Sequence, residues 1–216
     1  MMKKPKAKFL YVFILIFGIL FGCSSESSNK KKLDSIRSVK NTLGKRDPAF
    51  NAFLKKFKHL SLPLTIKTSE IVTDAYKKLD NNDNVFIKYP DPGSIYAYGI
   101  LPDTLDTFKI IWLQPADDYI PILTTFTKSG KKISSEYLGV GGCGTDCCFE
   151  CSEFVTITKD LYIFAADSIK SCECDSTGPK VNTTTRYVQY KTGKILKNGK
   201  ITIGKDMTKV LQKAGS

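Results

Sequence analysis

Six cysteines crowd into two short stretches of this 216-residue chain: Cys143, Cys147, Cys148 and Cys151 in GGCGTDCCFEC, and Cys172 and Cys174 in SCECD. The seventh, Cys23, stands far from both. Thiols in this number and spacing can do three kinds of chemistry. In an oxidising compartment an even set forms a disulfide framework, whose pairing the spacing does not choose. Cys147 and Cys148 are neighbours, so a bridge between them would be strained and each is expected to pair elsewhere. The second chemistry is metal binding: Cys148-Phe149-Glu150-Cys151 has C-x-x-C spacing, and Cys172 with Cys174 can close a four-thiolate cage. The third is thiol redox exchange at Cys148 and Cys151, which needs a thiolate acidified by a helix start or a neighbouring cation. Glu150 and Glu153 work against a thiolate there, and no βαβ pattern surrounds the pair. Disulfides are therefore the expectation for all six, with thiol-redox or metal-binding activity as the alternative; no metal ligand set and no cofactor is assigned.

Other catalytic constellations are thin. His59 is the only histidine and follows a lysine-rich stretch, so a Ser-His-Asp or Cys-His arrangement would have to use that one residue. Its expected place is the C-terminal end of a surface helix. Asp103, Asp106, Asp117 and Asp118 fall in loops, where turn chemistry accounts for them as well as cation binding or paired-carboxylate catalysis does. No nucleophile elbow, H-E-x-x-H, phosphate loop or dinucleotide fingerprint is present, and no catalytic residue is assigned. The glycines of GVGGCG at 139 to 144 adjoin cysteines rather than a helix start and read as a loop bent to position Cys143. Tyr89, Tyr96, Tyr98, Trp112 and Tyr119 can line a protein or glycan surface, although alternate positions in the same strands must also fill a core.

The start of the chain speaks to location. Lys3, Lys4, Lys6 and Lys8 precede an apolar core from Phe9 to Phe21, the order of a secretory signal, and that core is shorter than a bilayer-spanning helix requires. Leu20, Phe21, Gly22 and Cys23 resemble the lipobox of bacterial lipoproteins. The resemblance implies removal of residues 1–22, lipidation of Cys23, a tether over 23–32 and one domain over 33–216. An ordinary signal peptide, or an uncleaved short anchor with an incidental cysteine, fits the same residues. Ser24 after the cysteine is compatible with the outer membrane under the enterobacterial sorting rule. Removing the leader lowers the formal charge from +12 to +8, because the leader carries four lysines and no acid. Lys30, Lys31 and Lys32 in the tether suit anionic headgroups. The remaining lysines, among them Lys131, Lys132, Lys194, Lys197 and Lys200, are scattered along the chain and read as solvated surface. An exported chain without a nucleic-acid motif is not expected to bind nucleic acid. The expected partners are the membrane, through the anchor, and an envelope protein or glycan.

These residues must be positioned by an α+β domain: short N-terminal helices over 33–84, then a mainly antiparallel, disulfide-stapled β-meander over 85–216. Asp47-Pro48 is a helix start, with Phe50, Phe53, Leu54, Phe57 and Leu60 at helical spacing. A second helix is expected from Ser69 to Leu79, an earlier and weaker one from Leu33 to Leu43, and SLPLTIKT reads as extended. Strands are expected at 85–89, 95–101, 107–114, 119–128, 133–140, 153–159, 161–169, 183–191 and 200–204, separated by turn residues. The short gaps leave no room for parallel crossovers. Pro121 is expected at a bulge or an edge. The layout, from the Phe-rich helix through IYAYGILP to TTFTKSGKKI, resembles in texture the uncharacterised β-rich exported lipoproteins of Bacteroidetes. That resemblance implies a cell-envelope lipoprotein and carries no activity.

Overall fold

Runs of β-branched and aromatic residues dominate after Tyr96, and the computed structural model pairs them into two antiparallel sheets. It describes residues 47–213 except 92–93, 103–104, 117 and 145, within a unit spanning Gly44–Ser216. The expectations for the leader, Cys23, the tether and 33–46 lie outside the described residues. The first sheet runs in the order β2 (Lys77–Lys78), β3 (Tyr96–Ile100), β4 (Thr107–Gln114), β5 (Ile120–Thr127), β6 (Lys132–Tyr137). The second has the order β1 (Leu64–Lys67), β7 (Glu150–Ile157), β8 (Tyr162–Ser171), β11 (Thr185–Ile195), β12 (Ile201–Ile203), with β13 (Met207–Gln212) also on β11. Between β8 and β11 lies a small hairpin, β9 (Cys174–Asp175) with β10 (Gly178–Pro179).

The first sheet is the middle layer, which explains why seven of the eight residues of β4 are buried. Side chains alternate across a strand, so Phe108, Ile110 and Trp112 face one way and Ile111 and Leu113 the other. The first set packs with Phe126 against Phe50, Phe53 and Leu54 of a helix, α1 (Pro48–Leu54). Ile111 and Leu113, with Leu123 and Leu138, meet Val155, Ile157, Ile163 and Ala165 of the second sheet. Trp112 keeps its indole N–H satisfied by donating to Thr124 Oγ1 at 2.9 Å. Pro121 lies inside β5, between β4 and β6, but the β5–β6 ladder ends at the neighbouring Ile122; the Pro121 carbonyl accepts from Leu138 N. Its missing N–H therefore breaks no rung.

Helix is scarcer than the sequence suggests. The Asp47 side chain caps α1 by accepting from Ala49 N at 2.9 Å, yet the helix stops after seven residues instead of continuing to Leu60. Backbone pairing wins beyond it: Ile100 N donates to Lys58 O, Leu60 N to Ile100 O, and His59 forms a parallel bridge with Ile100. No helix forms over 69–79. Two single 3-10 turns, Thr68–Glu70 and Thr73–Ala75, stand there, followed by β2. The run Ile71-Val72-Thr73 is β-branched and poor in helix propensity, and Leu79 N is claimed by Ile95 O. In the opposite direction, 85–89 is not a strand. It holds the one-turn helix α2 (Asn84–Ile87), ended by Lys88 in the left-handed region at φ 58 and by Asn84 Oδ1 accepting from Tyr89 N. Lys56, two residues past α1, pairs with Asp80 at 2.7 Å and Asp83 at 2.5 Å in the turn that leads into α2. Among the described residues no helix is long and apolar enough to cross a membrane. Replacing the cap by Asp47→Ala is expected to lower stability by about 1 kcal/mol, read as a shift in the denaturant midpoint with an unchanged slope.

Candidate functional site

All six clustered cysteines are joined: Cys143 with Cys151, Cys147 with Cys174 and Cys148 with Cys172, at Cα separations of 5.3, 6.3 and 5.5 Å. The neighbours Cys147 and Cys148 separate because a tight turn carries them. Phe149 N donates to Asp146 O, Cys147 N to Asp146 Oδ1, and Cys148 takes a left-handed φ of 57. Each therefore reaches a different cysteine of the segment after β8. Two bridges link the clusters, over sequence separations of 27 and 24. Cys148 and Cys151, the C-x-x-C pair, belong to different bridges, so neither holds the thiol that the redox and metal readings require.

The third bridge, Cys143 with Cys151, adjoins an acidic site that no sequence motif marks. In register, Glu153 on β7, Asp167 on β8 and Gln189 on β11 form one row across the second sheet, on the face turned inward with Val155 and Ala165. Lys191 lies one row further along the same face of β11. Gly139 and Gly142, in the connection from β6 to β7, lie over this row. Gly142 N donates to Asp167 Oδ2 at 2.6 Å. The glycines make so close an approach possible: a Cβ at Gly139 would stand 2.5 Å from Glu153 Oε1, and one at Gly142 would collide with Gln189 Oε1 and the Asp167 carboxylate. Asp167 is also within 4.8 Å of the Cys143 and Cys151 sulfurs, which are bonded to each other.

Burial sets the electrostatics. Asp167 is fully buried and Glu153 7% exposed; Glu153 Oε1 and Asp167 Oδ1 have no hydrogen-bond partner among the described residues. Burial, reinforced by the Asp167 charge and opposed by Lys191, pushes the Glu153 carboxyl up to about 7. Burial also raises Asp167, against the Gly142 N–H and Lys191. Lys191 is itself pulled down by burial, while Asp206, Glu153, Asp167 and Glu136 support its charge. Its Nζ lies 4.7 Å from the centre of the Tyr137 ring, whose hydroxyl is pushed up to about 12 by burial and by the charges of Glu153, Asp167 and Asp206. Such a pair can hold and release a proton near neutrality, but it is sealed beneath the β6–β7 connection rather than opened to a substrate.

The other expected residues do not converge. Asp103 and Asp117 lie outside the described residues, and Asp106 and Asp118 are exposed. His59 is exposed in the bridge to β3, not at a helix end. Trp112 with Tyr89 packs toward the helical layer, whereas Tyr96, Tyr98 and Tyr119 belong to the cluster between the sheets, so the aromatic residues form no common surface. The charged positions Glu153, Asp167 and Lys191 did leave a trace in the sequence, since each sits in phase with the apolar residues of its strand. Fold and site together define a disulfide-stapled antiparallel β-protein with a helical cover. No protein-family model matches the chain, and no characterised protein or solved structure is detectably similar to it.

Proposed function

We propose that this chain is an exported lipoprotein, anchored at Cys23 to the cell envelope, at the outer membrane, and acting there as a non-catalytic binding or structural module. The observation that carries the reading is the use of all six clustered cysteines in bridges, two of them between distant segments. Disulfides of this kind persist in oxidising compartments. They also take up the thiols on which a redox or metal function would depend. The leader and the C-terminal cysteine of the lipobox-like sequence supply the anchor, and the tether lysines favour an anionic surface. An envelope protein or glycan is the partner class this location offers.

The test follows the full chain expressed with its leader in a bacterial host. The mature protein should incorporate radiolabelled palmitate, and Cys23→Ser should abolish incorporation while the protein is still made. Alkylation without reduction should add nothing to the mature mass. Absence of label would overturn the anchor, and alkylated thiols among the six clustered cysteines would restore the redox or metal alternative.

A further inference from the structure

Connections far apart in sequence meet at one end of the two sheets. Thr107 opposes Thr127, so the start of β4 and the β5–β6 turn share that end. Thr125 Oγ1 donates to Gly199 O at 2.6 Å, which brings in the β11–β12 turn, and Ile195 N donates to Leu161 O, which brings in the β7–β8 turn. Between these turns opens a cleft of about 780 Å³ lined by Lys159, Lys194, Lys197, Leu105, Asp106 and Asp160.

The lysines that are scattered in sequence converge here. Lys131, Lys132, Lys159, Lys194, Lys197 and Lys200 all belong to these turns or their margins, and none is in an ion pair formed among the described residues. Only Asp106 and Asp160 oppose them among the described residues lining the cleft. Large apolar side chains stand exposed among the lysines: Leu105 is 83% exposed, Tyr162 52% and Ile133 36%. Lys194 Nζ lies 4.2 Å from the centre of the Tyr162 ring. The described chain enters close by, since Phe50 of α1 packs over Gly130 in the β5–β6 turn and beside Phe108.

We propose that this end of the domain docks on a membrane surface of anionic phospholipid headgroups, the lysines facing lipid phosphates and Leu105 and Tyr162 lying at the boundary with the acyl chains. Charge complementarity and exposed apolar groups on one face are the two forces that hold proteins at such an interface. Tyrosine is suited to headgroup depth, with an apolar ring and a polar tip. The proposal rests on the lipoprotein reading, because a lipid at Cys23 keeps the domain within tether reach of a bilayer. It also gives that tether a consequence: the domain is held in one orientation, with the Cys143–Cys151 loop at the opposite end facing away from the lipid.

The chain from Ser24 onward, which contains the whole compact unit and no lipid, is sedimented with vesicles of phosphatidylcholine alone or with phosphatidylglycerol added. Wild type should bind the anionic vesicles only, and release as salt rises. The triple variant K131E/K159E/K197E should bind about tenfold more weakly or worse. K77E/K78E/K209E, with the same charge change on strands away from this end, should keep wild-type binding; both variants retain Lys30, Lys31 and Lys32. The charge-neutral K131Q/K159Q/K197Q, with less risk to folding, should fall between wild type and the glutamate triple. Equal binding of patch and control variants, or binding to phosphatidylcholine alone, would overturn the docking surface. Since this protein carries no acyl chain, that result leaves the palmitate test of the anchor untouched, and a failed palmitate test leaves the vesicle result standing.

Discussion

Removing the two bridges between the clusters, by Cys147→Ser/Cys174→Ser and Cys148→Ser/Cys172→Ser together, is expected to cost on the order of 4 kcal/mol. Each closes a loop of 24 or 27 residues, a span for which loop-closure entropy alone is worth roughly 3 to 4 kcal/mol in the usual model. The two do not add, because once Cys147 and Cys174 are joined, the ends that Cys148 and Cys172 bring together are already close. Either single-bridge variant should therefore lose much less than the pair. The segment they hold has no core of its own: from Cys172 to Thr184 no residue is buried, β9 and β10 pair over two residues each, and its other ties are exposed hydrogen bonds such as those from Lys180 N to Glu173 O and from Glu173 N to Thr183 Oγ1. The sandwich core contains none of these cysteines. The expected picture is a lobe that unfolds or exchanges its amides early while β4, β5, β7 and β8 remain protected. Hydrogen exchange of the quadruple variant tests this directly. A lobe as protected as in wild type would mean that contacts other than the bridges hold it.

The parts of this architecture that were legible share a physical cause. The sequence pattern predicts β4 over 107–114 and the strand spans the same residues, because a strand buried on both faces is a continuous apolar, β-branched run between turns. The even cysteine count indicated bridges, but pairing depends on how a turn at Asp146 aims two adjacent side chains, and no sequence pattern encodes that aim. Residues 69–79 misled because Ile71, Val72, Ala75, Tyr76 and Leu79 have helical spacing, while the backbone of Leu79 is committed to Ile95 and Val72 is 64% exposed. Residues 85–89 misled in the opposite sense, since a short apolar run does not separate a strand from one helical turn. β13 passed unread because all six of its residues are exposed, so it carries no alternation of burial. The lysine-rich end was invisible for a different reason: its members come from turns tens of residues apart, and only strand pairing brings them together.

The Glu153 and Asp167 pair makes the second large prediction, a fold that loses stability as pH rises from the acid range to neutrality. Both carboxyls are raised in the folded protein, Glu153 from an ordinary 4.5 to about 7. A carboxyl whose folded value is raised binds its proton more tightly in the folded state than in the unfolded one. Its favourable contribution is complete below about 4.5, declines as pH climbs between 4.5 and about 7, and is gone above that. For Glu153 alone the loss is roughly 2 to 3 kcal/mol across that window, with Lys191 limiting it. Glu153→Gln keeps the shape, removes the titration and ends the repulsion with Asp167. At pH 8 it should therefore be more stable than wild type by about 2 kcal/mol, with little difference at pH 4 and a flatter profile between. Asp206, Asp167 and Glu136 still support the Lys191 charge in the variant. Denaturant midpoints of both proteins from pH 4 to 8 decide the matter. A variant less stable than wild type at pH 8 would show that ionised Glu153 is the counterion Lys191 requires. A parallel pair of profiles would place the pH dependence in Asp167, which the Gly142 N–H and the Cys143–Cys151 loop hold against water.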